Sequence, residues 1–425
     1  MTIEMPRDKY SYFVNAMLFL FALFVNVNNT LADVALFSLS MAGVYILKKN
    51  NINPFKDSRL RTVLLITVGY YSINLVIFFI NGTNFAKYLQ TDVYFLLAVF
   101  IATGIFHAKI NLSVFFTGIR LALLFLGVCY FLSMITLFEV ESHPLLIRLC
   151  DPRFELCFWV QGYSEYTTNY VSIFAPVTVL MMFISIINYD NDNLINKLLG
   201  LTAFICGFIL VLGSAVRLSW LVFIILTIVI SFLMPKKIVI HKFLLMISIV
   251  LLGVFIYFTN SNNMVKTLSN KVFNEISSWR SGEDLDTSIG LRLEMYSAGL
   301  EAFKEKPFFG HGYLNGTNEA SKYADLRVSS SIKNFVQLHS EYITTLVEKG
   351  LFGLLSLGIL LLSPALIIVR NYSKDDIYIR IGVISSISFI LFGLFNASFG
   401  DTTIKAFYVL LVCLFLPNIS KERLL

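Results

Sequence analysis

Long apolar stretches alternate with short polar connections along almost the whole chain, near 11–27, 31–47, 60–80, 91–107, 114–138, 169–187, 196–214, 218–234, 243–258, 350–369, 379–397 and 402–417. Each is long enough, or nearly so, to cross a hydrocarbon core of about 30 Å as a helix. The pattern therefore predicts an all-α polytopic integral membrane protein with about 12 transmembrane helices. Two connections break the rhythm: one of about 30 residues after Glu139, and one of about 80 residues from Thr259 to Ser340, lengths that in compact proteins usually carry function. Within the second, Leu293, Tyr296, Leu300 and Phe303 recur at helical spacing between Ile289 and Lys306, and Pro307 ends the run. The chain divides accordingly into 1–258 (nine spans with the loop 139–168), 259–340 (a helical cap, with Ser281 to Ser288 and Gly310 to Ser331 as irregular connections) and 341–425 (three further spans).

Composition agrees with lipid as the solvent. Hydrophobic residues make up 57% of the 425 positions and charged ones 14%, with 40 Phe and 20 Tyr, against about 25% charged in an ordinary soluble domain. The mean hydropathy is +0.75. A net charge of +6 does not point to nucleic acid, because the basic residues form no stripe and sit in small groups between apolar runs. Their placement reports topology. Lys48 to Arg61, Lys109, Lys197, Lys236 to Lys242, Arg370 to Arg380 and the tail with Lys421 and Arg423 alternate with connections poor in Lys and Arg, Phe399 to Lys405 among them. The positive-inside rule then puts both termini in the cytoplasm and both long loops outside. Arg7 and Lys9 precede the first apolar run, which has no small-residue cleavage site and reads as a retained span. Cys129, Cys206 and Cys413 fall inside apolar runs as small hydrophobes. Cys150 and Cys157 share a polar loop and can pair if it faces an oxidising compartment. No Cys and His spacing suggests a zinc or redox site.

Charges beside apolar spans are costly, so each needs a reason. Arg120 lies in the cytoplasmic half of its span, where it can reach the inner headgroups. Arg217 occupies a short outer turn between two spans, either as an interfacial arginine or as a ligand for substrate. Arg292 stands in the first turn of the predicted cap helix, where a surface ion pair with Glu294 competes with phosphate binding by the guanidinium fork. His339 falls at the membrane interface where a helix begins. There the positive end of the helix dipole keeps an imidazole neutral, and a neutral imidazole can act as a base near pH 7. A lone interfacial histidine is more often structural. His311, between Gly310 and Gly312, is a weaker candidate, and His107, His143 and His241 have no evident partners.

His339, Ser340, Gly350 and Gly353 follow the order His, then Ser, Asn or Gln, then nine residues and Gly-x-x-Gly. This resembles the signature of bacterial O-antigen ligases. The run from Arg292 through Pro307 to Gly310-His311-Gly312 resembles the family's Arg-containing helix that leads to Pro and a Gly-x-Gly turn. Arg217 matches an arginine at the same relative place, and the resemblance extends over the topology, with one large periplasmic loop between spans 9 and 10. It implies a GT-C-like glycosyltransferase of the inner membrane with a periplasmic active site. Its donor would be O-antigen on undecaprenyl diphosphate and its acceptor the lipid A-core. His339 would be the catalytic base and Arg217 and Arg292 the diphosphate ligands, with Asn169, Tyr296 and His311 in support. No Asp-rich motif lies near these residues, so transfer without metal or other cofactor is expected. Trp159 and Tyr163 could stack on sugar rings or serve as interface aromatics. An O-antigen polymerase would use the same donor and similar arginines, and the contiguous His-Ser-x9-Gly-x-x-Gly run favours the ligase. A transporter or flippase with as many spans should show intramembrane charges or Gly/Pro-broken helices in matched halves, whereas here the halves differ and the polar weight lies in one external loop.

Overall fold

The computed structural model describes residues 7–82, 85–139, 177–188, 192–213, 217–233, 264–370, 376–396 and 398–418. The span expected near 243–258, residues 140–168, Asn169, Cys150, Cys157, Trp159 and Tyr163 lie outside the described residues. Every other apolar stretch carries a helix, although for the one near 169–187 only Val177–Ile186 is described. In chain order the helices are α1 (Arg7–Phe24), α2 (Asn29–Lys49), α3 (Ser58–Asn81), α4 (Phe85–Phe106), α5 (Leu112–Glu139), α6 (Val177–Ile186), α7 (Leu194–Gly213) and α8 (Arg217–Leu233). They continue as α9 (Met264–Ser281), α10 (Ser288–Glu305), α11 (Gly316–Ala320), α12 (Leu326–Asn334), α13 (Glu341–Arg370), α14 (Ile377–Phe395) and α15 (Thr402–Phe415). No strand occurs among the described residues. Helices α2, α3, α5, α7, α13 and α14 are long and apolar enough to cross a membrane, and α1, α4, α6, α8 and α15 are shorter apolar helices. The described residues are helices joined by short turns, and the six long apolar helices fit a polytopic membrane protein.

Short polar side chains start these helices. Asn28 accepts from the Leu31 N–H, and Asp57, Asp376 and Asp401 each accept from two free N–H groups in the first turn that follows. Each side chain thereby satisfies donors that have no partner inside the helix. At the other end of α2, Lys48 and Lys49 fall in the last turn, next to its negative dipole end.

The bundle is organised around its last helix. Every residue of α15 from Thr403 to Phe415 is buried, with α4 and α14 packed on it and α2 beside it, while α13 packs between α3 and α14. This burial corrects the placement of Lys405, which the charge pattern assigns to an outer connection. Lys405 lies in the first turn of α15 and its ammonium is ion-paired with Asp92 of α4, both almost fully buried. Arg120 is corrected similarly. Instead of reaching the lipid headgroups it is 1% exposed, pairs with Asp192 and donates from Nε to the Ser185 carbonyl at 2.8 Å. In both cases a charge that cannot reach water is balanced by a carboxylate distant in sequence, which periodicity does not reveal.

The segment between α8 and α13 forms a second, smaller core. Met295, Ala298 and Ala302 of α10, Ala320 of α11, Val328 and Ile332 of α12, and Val347 of α13 bury one another there. The connection from Gly310 to Ser331, expected to be irregular, contains α11 and α12. Helix α10 matches the predicted boundaries, with Thr287 as its N-cap. Its buried face is Gly290, Met295, Ala298, Gly299 and Ala302, whereas Leu300 of the expected face is exposed. Small residues prevail because α10 lies close against α13: a methyl group on Gly299 would stand 2.9 Å from Ile343 Cγ2.

Candidate functional site

The cap joins the bundle through a break in α13. Gly350 has φ 64° and ψ −161°, which interrupts the helix. The broken ladder is completed from outside by the segment that follows Pro307. His311 N–H donates to the Val347 carbonyl (2.8 Å) and Gly312 N–H to that of Glu348 (2.8 Å), while Leu351 N–H donates to the Pro307 carbonyl (2.7 Å) and Phe352 N–H to that of Phe308 (3.2 Å). The two backbones touch so closely that a side chain at Gly350 would lie 2.4 Å from the Phe308 carbonyl carbon, and one at Gly310 2.4 Å from that of Glu348. The Gly-x-Gly and Gly-x-x-Gly signals in the sequence thus belong to one structural device, a strap laced into a kinked helix.

His339 lies two residues before α13, on the other side of its first turns. It is one of few non-glycine residues with positive φ, at 51°, a left-handed conformation that costs about 1–2 kcal/mol for a residue with a Cβ. Several contacts hold it there. Tyr296 of α10 donates its hydroxyl to the His339 carbonyl at 3.0 Å, Leu338 N–H donates to Thr344 Oγ1 at 3.2 Å, and the Phe335 ring meets the imidazole edge-on at 5.1 Å. Next to it, Ser340 Oγ stands 3.5 Å from the Ile343 N–H and 3.4 Å from the Gly393 carbonyl, tying the start of α13 to α14. Behind this turn, buried Glu341 accepts from the Phe399 N–H at 2.8 Å.

Arg292, one turn before Tyr296 on α10, completes the group. Its side chain is exposed, and no hydrogen bond or ion pair occupies it among the described residues. The alternative partner, Glu294, accepts instead from Trp279 Nε1 (3.0 Å) and from the Asp325 N–H (2.9 Å), holding the cap together. Arg292 is close enough to act on both neighbours. The half-buried imidazole of His339 has its pKa lowered from 6.5 to about 4, first by burial and then by the Arg292 charge. Burial raises the pKa of Tyr296, and Arg292 opposes that shift. The imidazole is therefore neutral at pH 7, with burial and Arg292 as causes where the sequence suggested the helix dipole. A neutral imidazole beside a free guanidinium can take a proton while the guanidinium holds an anion.

The other sequence candidates lie elsewhere. Arg217 is the first residue of α8, and its side chain, like Asn169, lies outside the described residues. His311 is far from Arg292 along α10: its Nε2 stands 2.8 Å from the Ala302 carbonyl, ten residues on, or about 15 Å along the helix. There it caps one of the free carbonyls at the end of α10. Among the described residues the His311 ring also gathers with Glu305 and Glu319, a group able to hold a metal ion. Sequence reading missed this trio, and it also missed Lys349, whose ammonium lies 5.7 Å from the centre of the Tyr70 ring and 5.9 Å from that of Tyr313. Only the charges between Glu341 and Lys349 at the head of an apolar helix hinted at Lys349, and no local signal joined the trio.

Residues 202–358 match the family model described as O-antigen ligase. Over 203 residues the chain is 25% identical to a Haemophilus influenzae protein described as an uncharacterized protein, a match covering 46% of this chain and 51% of that relative. The chain thus spans about half the length of the curated relative it matches. The family match runs from α7 into α13 and contains Arg217, Arg292, His339, Gly350 and Gly353, so that the 202–358 region of this chain is similar to the O-antigen ligase family.

Proposed function

We propose that this protein is an O-antigen ligase, transferring O-antigen polysaccharide from undecaprenyl diphosphate to a sugar hydroxyl of the lipid A-core at the periplasmic face of the inner membrane. The observation that carries this reading is the pairing of a free, exposed Arg292 with a neutral His339, held by Tyr296 at the point where the cap meets α13. In this reading the bundle has about 12 spans and both termini in the cytoplasm. The diphosphate of the donor lies against Arg292 and Arg217, each charge-assisted contact contributing about 1.5–3 kcal/mol. His339 accepts the proton of the acceptor hydroxyl as its oxygen attacks C1 of the sugar. The bond from C1 to the phosphate oxygen breaks on the opposite side, giving inversion in one displacement, and undecaprenyl diphosphate leaves with its charge held by the arginines.

Donor binding also prepares the base. The negative diphosphate neutralises Arg292, one of the two causes of the low pKa of His339, so the imidazole becomes more basic when substrate arrives.

The test is transfer by the purified protein from a lipid-linked donor to lipid A-core. His339→Ala should abolish transfer and retain donor binding, and wild-type transfer by that variant would overturn the assignment. Deletion in the native host, followed by a lipopolysaccharide gel, separates ligase from polymerase. Loss of all O-antigen with accumulation of lipid-linked polymer supports the ligase, whereas core carrying a single repeat identifies a polymerase.

A further inference from the structure

The cap contains a second constellation that the transfer reaction does not use. Glu305 is the last residue of α10, His311 lies in the strap, and Glu319 belongs to α11; one ligand atom from each falls within 4.8 Å of the others. His311 is 8% exposed. Its Nε2 faces the Ala302 carbonyl at 2.8 Å, and because a carbonyl oxygen can only accept, Nε2 carries the proton. In the neutral ring Nδ1 is then a bare lone pair, 3.4 Å from the carboxylate oxygen Oε2 of Glu319. Two acceptors face each other there with no hydrogen between them. A buried imidazole with one nitrogen donating to a backbone carbonyl and the other open towards carboxylates is the arrangement that second-shell contacts impose on metal-bound histidine.

We propose that Glu305, His311 and Glu319 bind a divalent transition-metal ion of the zinc class, which fastens the strap to the end of α10 and to α11. The ligand set selects this class: imidazole suits zinc and its neighbours, whereas calcium and magnesium prefer oxygen ligands alone. Three protein ligands with water in the fourth position satisfy a tetrahedral ion with bonds of about 2.0–2.2 Å. Exposed Glu305 needs only a rotamer change to close in. The Tyr323 hydroxyl interacts with the Glu305 carboxylate beside it. Lys322 sits on Glu319 at 2.6 Å with a side chain 61% exposed, an exposed i,i+3 pair of the weakest kind, and it swings aside when the ion enters. The ion is structural in this proposal, far along α10 from Arg292, and the transfer chemistry has no step through it.

The experiment uses the full-length protein purified in detergent and stripped with chelator. Zn2+ is titrated by calorimetry, Co2+ serves as a spectroscopic probe through its visible absorption, and Tm is followed with and without Zn2+. One ion should bind per chain, with a tetrahedral Co2+ spectrum and a higher Tm. Glu319→Gln and His311→Gln should each weaken binding by at least about tenfold and remove the gain in Tm. Glu305→Gln, at an exposed position that leaves the fold undisturbed, should do so to a smaller degree. Absence of saturable Zn2+ binding, or binding that Glu319→Gln and Glu305→Gln leave unchanged, would overturn the proposal.

Discussion

Tyr296 holds His339 by its backbone: the phenol donates to the His339 carbonyl at 3.0 Å, while the histidine occupies the left-handed region at φ 51°. A side chain kept in an unfavourable backbone conformation needs a partner that offsets the strain, and here the partner comes from the helix that also carries Arg292. The spacing of Arg292 and Tyr296 on α10 therefore sets the distance between the proposed anion ligand and the proposed base.

Removing that hydroxyl should separate positioning from folding. Tyr296→Phe loses one hydrogen bond, about 0.5–1.5 kcal/mol, and leaves the ring packing intact. The expected result is a Tm within a few degrees of wild type, a kcat several-fold lower, and an unchanged KM for the lipid-linked donor. An unaltered kcat would mean that the turn holds its shape without Tyr296.

The pH dependence follows from His339, with a folded pKa of about 4 against an ordinary 6.5. Between these values the unfolded chain binds a proton that the folded chain refuses, so this contribution to stability is complete above about pH 6.5 and is lost as pH falls towards 4. For catalysis the free enzyme keeps a neutral base down to about pH 4, and the acid limb of kcat/KM due to His339 should lie near there. Arg292→Gln removes one of the two causes, so that limb should move up towards 6.5 while donor affinity falls. A limb that stays in place would show that Arg292 does not act on the imidazole.

The helices themselves were legible because lipid demands long apolar runs, and the Asx residues that start them are local signals. Arg292 and His339 were equally easy to single out as candidates, since a charge or an imidazole beside an apolar span stands out. Their relation was not: the contact between Tyr296 and His339 joins residues 43 apart, and nothing local in either segment encodes it. The spacing of Leu293, Tyr296, Leu300 and Phe303 marked α10 as a helix but did not reveal its inward face, because close approach to α13 demanded Ala298, Gly299 and Ala302 there. Arg120 and Lys405 were misplaced for a related reason. A sequence shows a costly charge but not the distant carboxylate that balances it.

The glycine pattern of α13 can be tested within one helix. Gly350→Ala puts a Cβ 2.4 Å from the Phe308 carbonyl group at a residue with positive φ, so both strain and collision oppose it. Gly358, on the same helix, has nothing within 4 Å of its added Cβ, and Gly358→Ala should be neutral or stabilising by up to about 1 kcal/mol. Measured as Tm in detergent or as folded yield, Gly350→Ala should be severely destabilised while Gly358→Ala equals or exceeds wild type. Equal stability of the two variants would contradict the laced strap.

The Arg120 pair offers a test of how the bundle tolerates charge. Asp192→Asn leaves the guanidinium buried and still bonded to the Ser185 carbonyl but without its carboxylate, and stranding one member of a buried pair costs about 3–5 kcal/mol. Replacing both residues with apolar ones, as in Arg120→Met with Asp192→Leu, removes the stranded charge together with the desolvation cost. The single variant should therefore show a markedly lower Tm in detergent and reduced yield, and the double variant should recover most of the loss. Because Arg120 lies between α5, α6 and α7, away from His339, the folded fraction of each variant should transfer glycan at the wild-type rate. If the double variant is no more stable than the single one, the pair has a role beyond charge balance, such as fixing the register of α6 against α7.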